Sequence, residues 1–410
     1  MKQILLRLTV SLAATLAALA IAELFARRTY GEGFNMLIDP YEDHVYRPFL
    51  EYEQTSGDRT LRFYTNSLGW KDDRPGREVE KQPERVRIVF LGDSFTEGLG
   101  IGQKETVSGV VQRTLDPGAR QLEVLNGGRS SFSPLLEYQR LKRFLDEGYR
   151  ADTVVVLLDV SDVQDELYYT SRYRFSSDGE PLRLEGWKHL PVIRTLYNES
   201  ALVRSLGRLP EQLRALRGGG GASPGTQVPV APPKLPADFF RSPEPISAAQ
   251  LGSLPPTAFG ILRPNWMAHP PSLAGWADEG LRSGLRNVLR MKRLADSRDI
   301  RFLLVIYPWP QMLYNRPDPG YYQVLARTFP RWYEEREYIY GRDPAPRVSE
   351  YQRRVHRFCR EQGIELLDLV PEFQKVKEWH RLFIPEDVHF NEAGSRLAGL
   401  DVARALGEVR

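Results

Sequence analysis

From Arg85 onward the chain alternates short, β-branched apolar runs with longer stretches in which apolar side chains return every three or four positions. That alternation predicts a parallel sheet covered by helices. The runs "RVRIVFLG" (85–92), "LEVLNG" (122–127), "DTVVVLLDV" (152–160), "IRFLLVIYP" (300–308) and "IELLDL" (364–369) are the expected strands. "SPLLEYQRLKRFLDEG" (133–148) has Pro near its start, helical apolar spacing and Gly at its end, which is helix punctuation. Residues 274–297, 349–363 and 391–409 repeat the pattern.

Two regions break it. "RGGGGASPGTQVPVAPPKLPAD" (217–238) suits neither helix nor central strand, because glycine is too free and proline lacks a donor, so it reads as a linker. It lies within an insertion at about 165–272 that also holds helical material such as residues 200–217. Ahead of the sheet pattern, residues 29–84 form an extension whose turn-rich "YTNSLGWKDDRP" (64–75) predicts a β-hairpin packed on the layer that follows. The expected division is therefore 1–28, 29–84 and 85–410, the last interrupted by the insertion. No internal repeat is visible.

The N-terminus carries an address. After Lys2 and Arg7 comes "LTVSLAATLAALAIA" (8–22), free of charge, then Glu23, Arg27 and Arg28. Ala20-Ile21-Ala22 offers a small-x-small cleavage site, whereas Ile4 to Ala26 with Arg7 snorkelling makes a membrane span. The expectation is an uncleaved anchor. Basic residues flank both ends, so charge alone does not set its orientation.

Composition narrows the partners. Hydrophobic residues at 41% and charged residues at 27% are ordinary globular values. Lys and Arg number 56 against 53 Asp and Glu, so there is no basic footprint for nucleic acid. The single Cys359 excludes an internal disulfide framework and a Cys-based zinc site. Neither paired His at helical spacing nor a Cys/His set occurs, and no metal or cofactor is expected.

Chemistry concentrates where the first strand ends. In "RIVFLGDSFTEGLG" (87–100) an apolar run turns through Gly92 into Asp93 and Ser94. In a parallel α/β sheet that is the crevice where ligands bind. Ser94 would sit at a helix start, near free N–H groups able to stabilise an oxyanion. Taken alone, Asp93-Ser94 reads first as a helix cap. A serine nucleophile needs a base and an orienting acid, and of six histidines only His389, in "IPEDVHFNEAG" (384–394), has acids beside it at the entry to a helix.

"GDSFTEG" (92–98) resembles the first block of the SGNH, or GDSL-type, hydrolases at every position, and residues 384–394 resemble their last block. The resemblance implies Ser94 as nucleophile and His389 as base. Small members place the acid three before the His, where this chain has Glu386; Asp387 lies two before, a spacing similar to that of proteins that acetylate alginate. Asp387 is the assigned acid, with Glu386 in reserve. The second block supplies an oxyanion glycine, and within "VLNGGRSSFSP" (124–134) Gly128 aligns, although Asn126-Gly127 also suits a plain turn. The third block is normally Gly-x-Asn-Asp; here "DVSD" (159–162) replaces the Asn by Ser161, whose hydroxyl is the expected third donor beside the Ser94 and Gly128 amides. "SPLLEYQRLK", "LLDVSDVQDEL" and "VIYPWPQ" also look like an anchored bacterial subgroup.

Covering roughly residues 85–165 and 285–408, the resemblance implies a flavodoxin-like α/β/α fold and ester chemistry. The expected activity is an esterase acting on O-acylated, chiefly acetylated, envelope or exopolysaccharide substrates, from an anchored domain in the periplasm or outside the cell. Alternatives are an O-acetyltransferase to a sugar hydroxyl and a non-catalytic glycan-binding protein of the same fold. A dinucleotide site at Gly98, Gly100 and Gly102 lacks the G-x-G-x-x-G fingerprint.

Overall fold

A computed structural model of the chain describes residues 2–30, 35–56, 59–207, 276–316, 318–341 and 343–407. The linker expected at 217–238 and most of the insertion lie outside the described residues. In chain order come α1 (Lys2–Tyr30), β1 (Met36–Asp39), β2 (Asp43–Tyr46), β3 (Glu51–Ser56), β4 (Arg59–Thr65), β5 (Lys71–Asp72), β6 (Val86–Leu91) and α2 (Ser94–Glu97). Then follow α3 (Val107–Leu115), β7 (Leu122–Asn126), α4 (Pro134–Asp146), β8 (Thr153–Leu158), α5 (Asp162–Thr170) and α6 (Pro191–Glu199). The rest comprises α7 (Trp276–Asp296), β9 (Arg301–Ile306), α8 (Pro319–Thr328), α9 (Pro330–Tyr340), α10 (Glu350–Gln362), β10 (Glu365–Asp368), α11 (Val370–Lys375) and α12 (Glu392–Leu406).

The chain forms two compact units, Met1–Arg47 with Leu184–Ala231, and Pro48–Arg183 with Pro232–Arg410. In the larger, an eight-stranded sheet has the order β10-β9-β8-β6-β7-β5-β4-β3. All five strands expected from the apolar runs are there and pair in parallel as β10, β9, β8, β6 and β7. The hairpin β3–β4 and the short β5 continue the sheet antiparallel, with Lys71 opposite Asn126.

Why the runs are apolar on both faces follows from this order: from β6 through β9 each strand is flanked on both sides and covered above and below. Val89, Leu125, Val154 to Leu157 and Leu304 to Ile306 have no exposed surface, and each such Val, Leu or Ile contributes about 1.5–3 kcal/mol by burial. Helices pack as two sets, α3 with α12, and α4 with α5 and α7, giving the expected α/β/α layers. Because β6 has β7 on one side and β8 on the other, the order reverses at β6, and a crevice opens beyond its carboxyl end.

The smaller unit holds α1, the β1–β2 hairpin and α6. By length and composition Lys2–Thr29 is long and apolar enough to cross a membrane. Asn198 of α6 fastens the hairpin, its side chain accepting from the Ile38 N–H at 2.8 Å and donating to the Ile38 carbonyl at 2.9 Å.

Candidate active site

Leaving β6, the backbone turns at Gly92 with φ +151°, and a Cβ there would stand 2.1 Å from Thr96 Oγ1 and 2.9 Å from the Leu157 carbonyl. Only glycine fits. Asp93 then caps α2, accepting from the Phe95 N–H at 2.9 Å, and Ser94 becomes the first helical residue at the crevice.

The partner arrives 295 positions later. A Phe383–Phe390 bridge closes the loop 384–389, and the Asn391 side chain caps α12 by accepting from the Ala393 and Gly394 N–H groups. Inside the loop the His389 N–H donates to Asp387 Oδ1 at 3.0 Å, and Nδ1 meets the same oxygen. His389 Nε2 stands 2.6 Å from Ser94 Oγ. Phe95 packs against the imidazole with ring centroids 4.8 Å apart. With the proton on Nδ1, held by Asp387, the Nε2 lone pair faces the hydroxyl and can take its proton.

Glu386, the reserve acid, turns away: its carboxylate accepts from the Arg331 N–H at 3.2 Å, and its own backbone is left-handed at φ +56°. Of the other histidines, His356 bonds Asp368, His380 bonds Tyr321 and His44 bonds Asp43, while His269 lies outside the described residues.

The two expected oxyanion donors beyond Ser94 are both engaged inside their own loops. The Gly128 N–H donates to Asn126 Oδ1 at 3.0 Å, closing its own turn. Glycine is required there for close approach, since a Cβ would stand 2.3 Å from the Glu97 nitrogen. Ser161 spends both its N–H and its hydroxyl on Asp159 Oδ1, each at 2.6 Å. By contrast, neither the Ser94 nor the Ser131 main-chain N–H has an acceptor among the described residues. Ser131 holds a left-handed φ of +61° in the loop after β7, a conformation that costs a non-glycine residue energy.

That loop is strapped to α2. Glu97, 1% exposed, accepts from Arg129 Nη1 at 3.0 Å, from the Ser130 N–H at 2.6 Å and from the Ser130 hydroxyl at 2.7 Å, while the Arg129 N–H reaches the Gly92 carbonyl at 3.0 Å. Burial opposes the charge of Glu97, but Arg129, Lys71 and the Ser130 donors outweigh it and hold the carboxyl at about 2. Nothing in the sequence marks Glu97 for this, because its partners Arg129 and Ser130 are brought to it only by the fold.

Beneath the site, carboxylate oxygens of Asp93, Asp159 and Asp162 lie within 4.8 Å of one another. Donors already occupy most of them: Tyr307 and Phe95 serve Asp93, Trp309 and Ser161 serve Asp159, and the Asp159 N–H serves Asp162. Burial first, and the charge of Asp159 second, push Asp93 up to about 7. Tyr307 and Trp309 of "YPWP" thus anchor the acids that follow β6 and β8.

Burial disfavours the imidazolium of His389, but the Asp387 hydrogen bond and charge, helped by Asp93 and Asp159, leave its pKa above the ordinary histidine value. Asp387 is held below the usual carboxylate range, burial being outweighed by His389. The His389–Asp387 pairing therefore stabilises the fold fully between about pH 4 and about pH 6.5, fading as pH rises through the raised histidine value and as it falls through the lowered carboxylate value. A base must be neutral, so the sign for activity is opposite. Any rate that depends on this imidazole climbs with pH through a midpoint above about 6.5, and a kcat/KM profile whose acid limb falls below that value would count against His389.

No protein-family model matches the chain, and no curated protein matches it. Among solved structures it is similar to an acetyl xylan esterase at 12% identity and a TM-score of 0.38, covering 78% of this chain and 100% of that one. A lipolytic protein of the G-D-S-L family from Desulfitobacterium hafniense gives 12%, 0.35, 78% and 99% in the same order. A lipase/acylhydrolase from Enterococcus faecalis gives 12%, 0.35, 78% and 95%. At these values the likeness carries no argument about activity.

Proposed function

We propose that the chain is a membrane-anchored serine esterase of the SGNH type, acting on O-acylated, chiefly O-acetylated, cell-envelope or exopolysaccharide esters. The observation that carries this reading is the 2.6 Å approach of His389 Nε2 to Ser94 Oγ, with Asp387 on the far side of the ring. In the proposed reaction Ser94 Oγ bonds to the acyl carbon as its proton passes to Nε2. Charge moves to the carbonyl oxygen, where the Ser94 and Ser131 N–H groups are the donors still open; one such donor is worth about 10²–10³ in rate. The tetrahedral adduct collapses, the sugar oxygen leaves with the proton from Nε2, and water repeats the sequence to free the acid. A sugar hydroxyl in place of that water makes the same acyl-enzyme an O-acetyltransferase.

The anchored setting rests on α1, and a polysaccharide substrate rests on that setting together with the first- and last-block residues. The test uses the full chain in detergent with an acetylated polysaccharide such as acetyl xylan. Free acetate should appear with the wild type and not with Ser94→Ala. Acetate moved to an added oligosaccharide, with little released, selects the transferase. Equal traces from both proteins overturn the enzyme in favour of a binding protein.

A further inference from the structure

The smaller unit carries an apolar face with no cover among the described residues, and we infer that this face rests on the surface of the membrane that α1 crosses. Trp187 is 57% exposed, Leu190 54%, Val192 72% and Leu196 52%. Val192 and Leu196 are one turn apart on α6 and so share a face. Tyr197, the next residue along, is buried within the unit. An amphipathic helix of this kind, flanked by a tryptophan and basic residues, suits a bilayer interface better than water. Lys188 sits with its Nζ 5.7 Å from the centroids of both Trp187 and Tyr197, and Arg194 follows one turn into α6. Both are the charges that anionic headgroups attract.

What singles out lipid is where this face is fastened. At 1.5 Å per residue, Ile4 to Glu23 of α1 spans about 30 Å, the thickness of a hydrocarbon core. Glu23, Arg27 and Arg28 are therefore at headgroup level once α1 crosses. Glu23 and Arg27 hold the end of α6. Arg27 Nη2 donates to the Glu199 carbonyl at 2.7 Å. The Glu23 carboxylate accepts from the Ser200 hydroxyl at 2.6 Å and from the Ala201 and Leu202 N–H groups at 2.9 and 3.0 Å. A nine-residue helix tied by its last turn to the charged end of a span has the bilayer interface within reach of its whole length. The inference takes α1 as a span and does not depend on the ester chemistry.

The experiment places a spin label, one at a time, at Val192→Cys and Leu196→Cys in the full chain, with Leu12→Cys in α1 and Glu185→Cys as the lipid and water references. The buried Cys359 stays in place, and unmutated protein gives its background. In vesicles of phosphatidylethanolamine and phosphatidylglycerol, power saturation compares collisions with oxygen, which partitions into lipid, and with a water-soluble nickel chelate. Labels at 192 and 196 should show an oxygen-to-nickel ratio several-fold above that at 185, on the side of the Leu12 reference. Ratios equal to that at 185 overturn the inference. So do labels shielded from both reagents, which would mean a protein cover from residues 208–275 or from a second copy. A water-like signal at Leu12 overturns it together with its premise.

Discussion

Ser94→Ala and His389→Ala each lower kcat/KM toward an aryl acetate by about 10⁴- to 10⁶-fold, and the double variant is no worse than the poorer single one. The reason is that the two side chains act as a unit. With Ser94 gone there is no oxygen to bond the acyl carbon, and with His389 gone the hydroxyl keeps its proton at neutral pH, so the second deletion removes nothing further. A residual rate from the free N–H groups persists in all three. Far-UV circular dichroism and a thermal scan on each variant separate this loss from misfolding: Ser94 lies at the start of a four-residue helix, and among the described residues its Oγ is bonded only to Asp93 and His389. Losses of less than tenfold would favour the glycan-binding alternative.

Asp387→Asn is expected to cost about 10³- to 10⁴-fold, although it removes only a charge. An amide at that position can present its NH₂ to Nδ1, which moves the imidazole proton to Nε2 and leaves no lone pair toward Ser94. The same change removes the largest influence that raises the His389 pKa, while burial still lowers it, so the acid limb of the residual activity moves to lower pH. Glu386→Gln is the control for a neighbouring acid. Its carboxylate faces Arg331 and leaves His389 alone, and its activity should stay within a few-fold of the wild type. If Glu386→Gln proves as damaging as Asp387→Asn, the orienting role assigned to Asp387 fails.

Some of this was legible along the chain and some was not, for physical reasons. β6, β8 and β9 are covered on both faces, so each is a continuous apolar run that stands out against its surroundings. Gly92, Asp93 and Ser94 form a turn whose cap, from Asp93 to the Phe95 N–H, closes within a few residues. His389 and Asp387 meet inside one short loop, so their spacing could be read directly.

The oxyanion donors are different, because whether an N–H is free depends on what the fold brings to it. Gly128 looks like a donor until Asn126 folds back onto it, and Ser161 until Asp159 takes both its hydrogens. Ser131 gives no warning, since its left-handed backbone is imposed by a loop held from Glu97, 34 positions earlier in the chain. Tyr307 and Trp309 bond acids that lie 214 and 150 positions away. The hairpin expected at 64–75 to pack on the layer that follows is the turn between β4 and β5, and it joins the edge of the sheet, Lys71 opposite Asn126. Alternating sequence cannot distinguish those two, because the same exposed edge accepts a strand or a cover.

The claim on which the rest depends is that the Ser94 hydroxyl is made nucleophilic by His389. A fluorophosphonate bearing a reporter group, applied to the full chain at neutral pH and followed by peptide mapping, tests it most directly. One modified peptide containing Ser94 in the wild type, with labelling nearly abolished in His389→Ala, is the expected result. Labelling that is absent, that falls on another serine, or that proceeds equally without His389 would contradict it.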